Sequence, residues 1–182
     1  MQSSILIEKL ISQTQQNILT VQQLQKQNQA YLSWKENSET WSILECIEHL
    51  NRYSDFYLPQ IAQKIAQSSH GFEATFNSGW LGGYFAKTML PKEKLNKMKT
   101  FKDKNPLNAI ISVSVLDTFV QQQTTLLSLL QQSKKVSLNK IKIETTLSKY
   151  LKLNLGDTFQ FFVNHIIRHL YQIERIQKAM NQ

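Results

Sequence analysis

Four long stretches of this chain space their apolar residues three and four apart, the repeat that lays one side of an α-helix against a core. Residues 4–30 carry Ile7, Ile11, Thr14, Ile18 and Val21 at that spacing, and the glutamines between them read as a solvated helix face rather than a disordered tract. A second helix begins near Thr40. Ser42 and Glu45 have capping-box spacing there, and Ile43, Ile47, Leu50 and Ser54 continue the repeat. Pro59 has no N–H to bond back one turn, so it is expected to kink or interrupt this helix before "QIAQKIAQ" resumes it.

A third helix is expected over 107–132. The pentad "ISVSV" alternates like a strand, but Leu116, Phe119, Val120, Leu127 and Leu130 restore helical spacing. The last begins at Gly156-Asp157, with Asp157 as N-cap and Gln160 at the capping-box position, and runs from about 158 to the end. The fold class that follows is all-α, a four-helix bundle with long connections, and 182 residues suit one domain over 1–182 rather than two cores.

Two connections depart from plain linkers. Residues 68–91 hold Gly71, Gly79, Gly82 and Gly83 beside Phe72, Phe76, Trp80, Tyr84 and Phe85. This reads as a loop packed across the end of the core, with the wall of a pocket as the alternative. Within 133–155, "VSLNKIKIETT" alternates and is expected to form a short extended piece.

Charge and cysteine use narrow the function classes. The net charge is +8, but 18 of the 21 basic residues are Lys and only Arg52, Arg168 and Arg175 carry the fork that reads bases. The lysines gather in 87–104 and 134–152 rather than along one helical face, so a solvated basic surface is expected in place of a specific nucleic-acid site. Nor is there an apolar run long enough to suggest a membrane span. "MQSSILIEKLISQ" lacks the basic start and unbroken apolar run of a signal peptide, so a cytoplasmic location is expected. Cys46, the one cysteine, agrees with a reducing compartment.

The chemistry concentrates in "FQFFVNHIIRHLYQIERI". His165 and His169 stand four apart, which puts their Cβ atoms about 5–6 Å from each other on one helix face. Two imidazoles so placed can share one metal ion. His49 in "ECIEHLNRY", flanked by Ile47 and Leu50, is the natural third ligand, and three neutral nitrogens would leave a coordination position open. Three separate core-edge histidines, each hydrogen-bonded to a neighbour, would satisfy the same pattern. His70 has no partner at ligand spacing. Glu48 and Arg168 adjoin ligands, and the 3.6-residue period turns each about 100° away, Arg168 toward the rim or solvent. Cys46 lies one turn before His49 and reads as a small buried hydrophobe before a nucleophile or fourth ligand.

"WSILECIEHLNRYSDFYLPQI" and "LGDTFQFFVNHIIRHLYQIERI" resemble the two signature segments of the DinB-like superfamily, which includes YfiT-type metal-dependent proteins. A His-Leu pair on the second helix and a terminal H-x-x-x-H followed by Gln match His49-Leu50, His165, His169 and Gln172. The connection "SGWLGGYFAKTMLPKEKLNKMKT" is similar as well, so the likeness covers nearly the whole chain.

The resemblance implies a four-helix bundle holding a divalent metal ion through His49, His165 and His169, with zinc, nickel or iron as the expected cofactor. It implies no single reaction: some relatives are thiol-dependent S-transferases or isomerases, and others have been proposed as hydrolases. The leading expectation is a metal-dependent enzyme acting on a small molecule, its partner a low-molecular-weight thiol, with a homodimer left open. A non-catalytic metal-binding or stress-associated protein is the alternative.

Overall fold

The apolar stripes find one another in the computed structural model, which describes residues 1–91 and 100–180. The described residues form six α-helices: α1 (Ser3–Leu24), α2 (Gln29–Ser33), α3 (Ile43–Ala66), α4 (Trp80–Thr88), α5 (Val115–Ser133) and α6 (Leu155–Met180). The long ones build the bundle. Helix α1 packs on α5 and α6, and α3 packs on the same two, so α1 faces α3 across one diagonal and α5 faces α6 across the other. The core between them is large and aromatic, with Tyr57, Phe119, Phe159 and Phe162 fully buried. Removing each such side chain from water contributes about 1.5–3 kcal/mol.

Several expected boundaries move, each for a local reason. The first stretch ends at Leu24, and Asn28 then caps the separate α2 by accepting from the Tyr31 N–H at 2.9 Å. The third helix starts at Val115, not 107, because Asn108 sits at φ 61°, a left-handed conformation that no helix continues through. Pro59 does not interrupt α3, which runs unbroken from Ile43 to Ala66. Pro59 is exposed, so the Asp55 carbonyl that loses its partner faces the solvent side, where water can replace the bond.

The glycine and aromatic segment is not a loop throughout, since Trp80–Thr88 forms α4 against α6. Gly82 permits this contact: a Cβ there would lie 2.4 Å from the Asp157 side chain. Phe76 is buried, while Phe72, Trp80 and Tyr84 are exposed. The extended piece is a hairpin, β1 (Lys142–Thr145) with β2 (Ser148–Asn154), paired antiparallel with Ile143 opposite Leu153.

β2 runs straight into α6, so Asp157 is not its N-cap. The Leu155 and Gly156 N–H groups donate instead to the Ile141 and Leu138 carbonyls at 2.9 and 3.1 Å. That frees the Asp157 carboxylate to accept from Ser78 Oγ and the Gly79 N–H, at 2.5 and 2.9 Å, and to hold the start of α4. Part of the expected lysine-rich segment 87–104, residues 92–99, lies outside the described residues, as do 181 and 182. No helix among the described residues is long and apolar enough to cross a membrane.

Candidate metal centre

The capping box that starts α3 fixes the rotation of that helix. Ser42 Oγ accepts from the Glu45 N–H and Glu45 Oε2 accepts from the Ser42 N–H, at 3.2 and 2.7 Å. With the start so pinned, His49 falls on the side facing α6, where it is 2% exposed. Helix α6 brings His165, 5% exposed, and His169, half-buried, to the same point.

Three candidate ligand nitrogens, one from each ring, lie within 4.8 Å of one another, the one group of three or more such residues among the described residues. His49 Nε2 stands 3.2 Å from His165 Nε2, and His169 Nε2 stands 3.1 Å from it. Nitrogens bound to one ion at 2.0–2.1 Å are separated by about 3.0–3.4 Å, depending on the coordination geometry. Two of the three separations fall in that window, and the third, between His49 and His169, reaches 4.8 Å, so these rings would close in on a shared ion.

Proton counting shows whether the cluster suits a cation. His49 Nδ1 lies 2.7 Å from the Lys104 carbonyl and His169 Nδ1 lies 3.0 Å from Gln172 Oε1. Both oxygens only accept, so both Nδ1 atoms carry hydrogen and both Nε2 atoms present bare lone pairs. These lone pairs converge on His165 Nε2, whose single hydrogen can serve one of them well. His165 Nδ1 is itself buried without a hydrogen-bond partner. Unmade bonds of this kind cost about 1–3 kcal/mol each. A cation at the centre would accept all three Nε2 lone pairs, with the His165 hydrogen then on Nδ1, so the Nε2 atoms present fit a divalent ion.

Electrostatics keep the three imidazoles neutral. Burial pushes the His49 imidazolium down to about 4, helped by the Arg52 and Lys104 charges and opposed by the Lys104 carbonyl. His165 and His169 are held well below the usual histidine range, first by burial and then by neighbouring histidine charge, with Arg168 adding to both. All three are therefore neutral at pH 7, as metal binding requires.

Aromatic rings wall the cluster. The Trp41 ring lies 4.8 Å from His49 and stacks on His169 at 5.7 Å. Tyr53 lies 4.9 Å from His49 and 4.5 Å from His165, and burial pushes its phenol up to about 12. Phe161 stacks on His165 at 6.0 Å, and its other surroundings include a cavity of about 10 Å³ shared with Tyr57, Phe85 and Leu153. That space is about one water in size. Of the aromatic segment expected as a possible wall, only Phe85 lines it.

The remaining sequence candidates sort cleanly. Arg168 is not at the rim: it is buried, 7% exposed, and its charge reaches the neighbouring histidines. Glu48 turns away from the rings and pairs with Arg52 at 2.7 Å. Cys46 is fully buried, and its thiol is driven strongly upward, first by burial and then by the Glu45 charge, so it is no nucleophile at neutral pH. His70 is exposed and outside the cluster. Sequence reasoning missed Trp41, Tyr53 and the Lys104 carbonyl. The carbonyl had no signal to give, because every residue carries one.

Residues 10–173 match the model of the DinB superfamily. Neither the curated proteins nor the solved structures contain a match to the chain.

Proposed function

This chain belongs to the DinB superfamily, and on that premise we propose that it is a metal-dependent protein whose His49, His165 and His169 hold one divalent ion for chemistry on a small molecule. The observation that carries the reading is the convergence of three neutral Nε2 atoms with too few hydrogens to satisfy one another. When bound, the ion would lower the pKa of a coordinated thiol or water and so supply a nucleophile near neutral pH. The chain's own part is orientation. The Lys104 carbonyl and Gln172 Oε1 fix two tautomers, and Tyr53 and Phe161 keep water from the buried side. His169 and Trp41, both half-buried, form the side a substrate would approach.

The first test is composition. Protein purified without chelator or affinity-tag metal should carry roughly one divalent ion per chain, and His169→Ala should lose it. Full occupancy retained in that variant would sink the assignment.

The finer reading is thiol-dependent transfer in the cytoplasm, which the neutral ligand set favours. Three imidazoles leave the ion's charge uncompensated, so an anionic thiolate suits the next position. Metal-loaded protein incubated with bacillithiol or glutathione and a bimane electrophile should conjugate faster than the protein-free control, and His165→Ala should not. No metal-dependent rate with any thiol, at full occupancy, would leave hydrolysis or a non-catalytic clamp as the better reading.

A further inference from the structure

One stripe of α3 does more than face the core. Glu45, His49, Arg52 and Phe56 recur at four, three and four residues, so they share a helix face, and all four grip the segment 102–108. Glu45 Oε1 accepts from the Asn108 N–H at 2.5 Å and from Lys35 Nζ at 3.0 Å. The Lys104 ammonium sits 5.9 Å from the centre of the Phe56 ring. Between these ends, His49 Nδ1 donates to the Lys104 carbonyl at 2.7 Å. Arg52 spans that bond: its Nη1 donates to the carbonyls on either side, Asp103 O at 3.4 Å and Asn105 O at 3.2 Å. Its Nε is held by Glu48 Oε1 at 2.7 Å.

Three consecutive carbonyls are thus fixed from one helix face, and the middle one sets the tautomer of a metal ligand. We infer that Arg52, braced by Glu48, is a positioning residue for His49: it holds the 103–105 turn so that the Lys104 carbonyl meets Nδ1 and leaves Nε2 bare toward the metal centre.

The physical reason is that a main-chain acceptor on a short 3-10 turn, Lys102–Lys104, has little to hold its direction. The guanidinium is suited to this work. Its planar, rigid donors can serve two carbonyls and a carboxylate together, whereas a lysine ammonium is a point charge on a flexible stem. An acceptor behind a metal-bound imidazole typically changes metal affinity about 10–100-fold when removed. Substituting residue 104 would leave its carbonyl in place, so Arg52 and Glu48 are the handles on this contact.

The inference deepens the proposed metal site and rests on it for the affinity effect, while its first readout needs no metal. In ¹⁵N-labelled, metal-free, full-length protein, the histidine ring spectrum should show His49 as the Nδ1–H tautomer with a slowly exchanging proton. Arg52→Ala should speed that exchange at least about tenfold and mix the tautomers, and Glu48→Gln should move them the same way by less. Arg52→Lys should recover only part of the protection. The second readout is Co²⁺ titration followed by visible absorption, in which Arg52→Ala should weaken binding about tenfold and His49→Ala should remove the three-nitrogen spectrum.

An unchanged His49 ring in Arg52→Ala would overturn the inference whatever the metal does. If the parent protein binds no Co²⁺, the metal reading falls and the ring spectrum alone decides the role of Arg52. Should Arg52→Ala fail to fold, the Glu48→Gln and Arg52→Lys rings decide it, and wild-type behaviour in both would count against it.

Discussion

Each histidine of the cluster carries a cost that only the cluster explains. Burial holds His49 at about 4, against 6.5 for the free side chain, and holds the other two low as well. At pH between these values the unfolded chain takes up protons that the folded chain refuses, so acid favours unfolding. The metal-free protein should therefore keep its full stability above about pH 6.5 and lose it as the pH falls toward 4, by about 3 kcal/mol from His49 alone. Urea unfolding across that range, on chelator-treated protein, checks the slope. His49→Phe should flatten part of it, and an equal slope in that variant would mean that His49 is not buried as a neutral ring.

Between residues and bundle, the helices obey their periodicity where solvent and core compete and break it where a remote group intervenes. Pro59 is a case for measurement. A proline inside a helix is worse than alanine by about 3 kcal/mol, less the roughly 0.4–1 kcal/mol that proline saves by stiffening the unfolded chain. At this exposed site water already relieves the Asp55 carbonyl, so Pro59→Ala should stabilise α3 by about 1–2 kcal/mol and raise Tm by about 3–6 °C. A lower Tm would show that the ring itself packs.

The same competition decides what was legible in the sequence. The capping box of Ser42 and Glu45, the α3 stripe of Ile43, Ile47 and Leu50, and the i,i+4 pair His165 and His169 are local patterns, while His49 joins that pair from 116 residues away. The start of α6 is hidden from the sequence because its first N–H groups are met by the Leu138 and Ile141 carbonyls, which have no sequence signature. Helix α4 hid behind its glycines, one of which serves close approach to Asp157 rather than a turn. The helical angle turns Arg168 away from the histidines, but its burial depends on packing that the angle does not report.

For the whole molecule, the question is what a bound ion would tie together. His49 and His165 are 116 residues apart in sequence, and their contact joins α3 to α6 at one corner of the bundle. The opposite corner, where α1 meets α5, shares no ligand. An ion that binds only the folded state adds about 2.7 kcal/mol at a hundredfold excess over Kd, and it should do so through that corner. Zn²⁺ should raise Tm in the parent protein and leave His169→Ala unmoved. Hydrogen exchange should slow most in α3, in α6 and around 101–108, with the α1–α5 seam changing less.

The size of the effect also bears on function. A structural clamp would make folding depend on the ion, so that chelator leaves little native protein. This bundle has a core of its own, with Phe119, Phe159 and Phe162 fully buried, and it should stay folded without metal. A metal-free protein that keeps its helices and loses only a few kcal/mol would match an ion held for chemistry; one that unfolds on chelation would match the clamp. Circular dichroism before and after chelation separates the two.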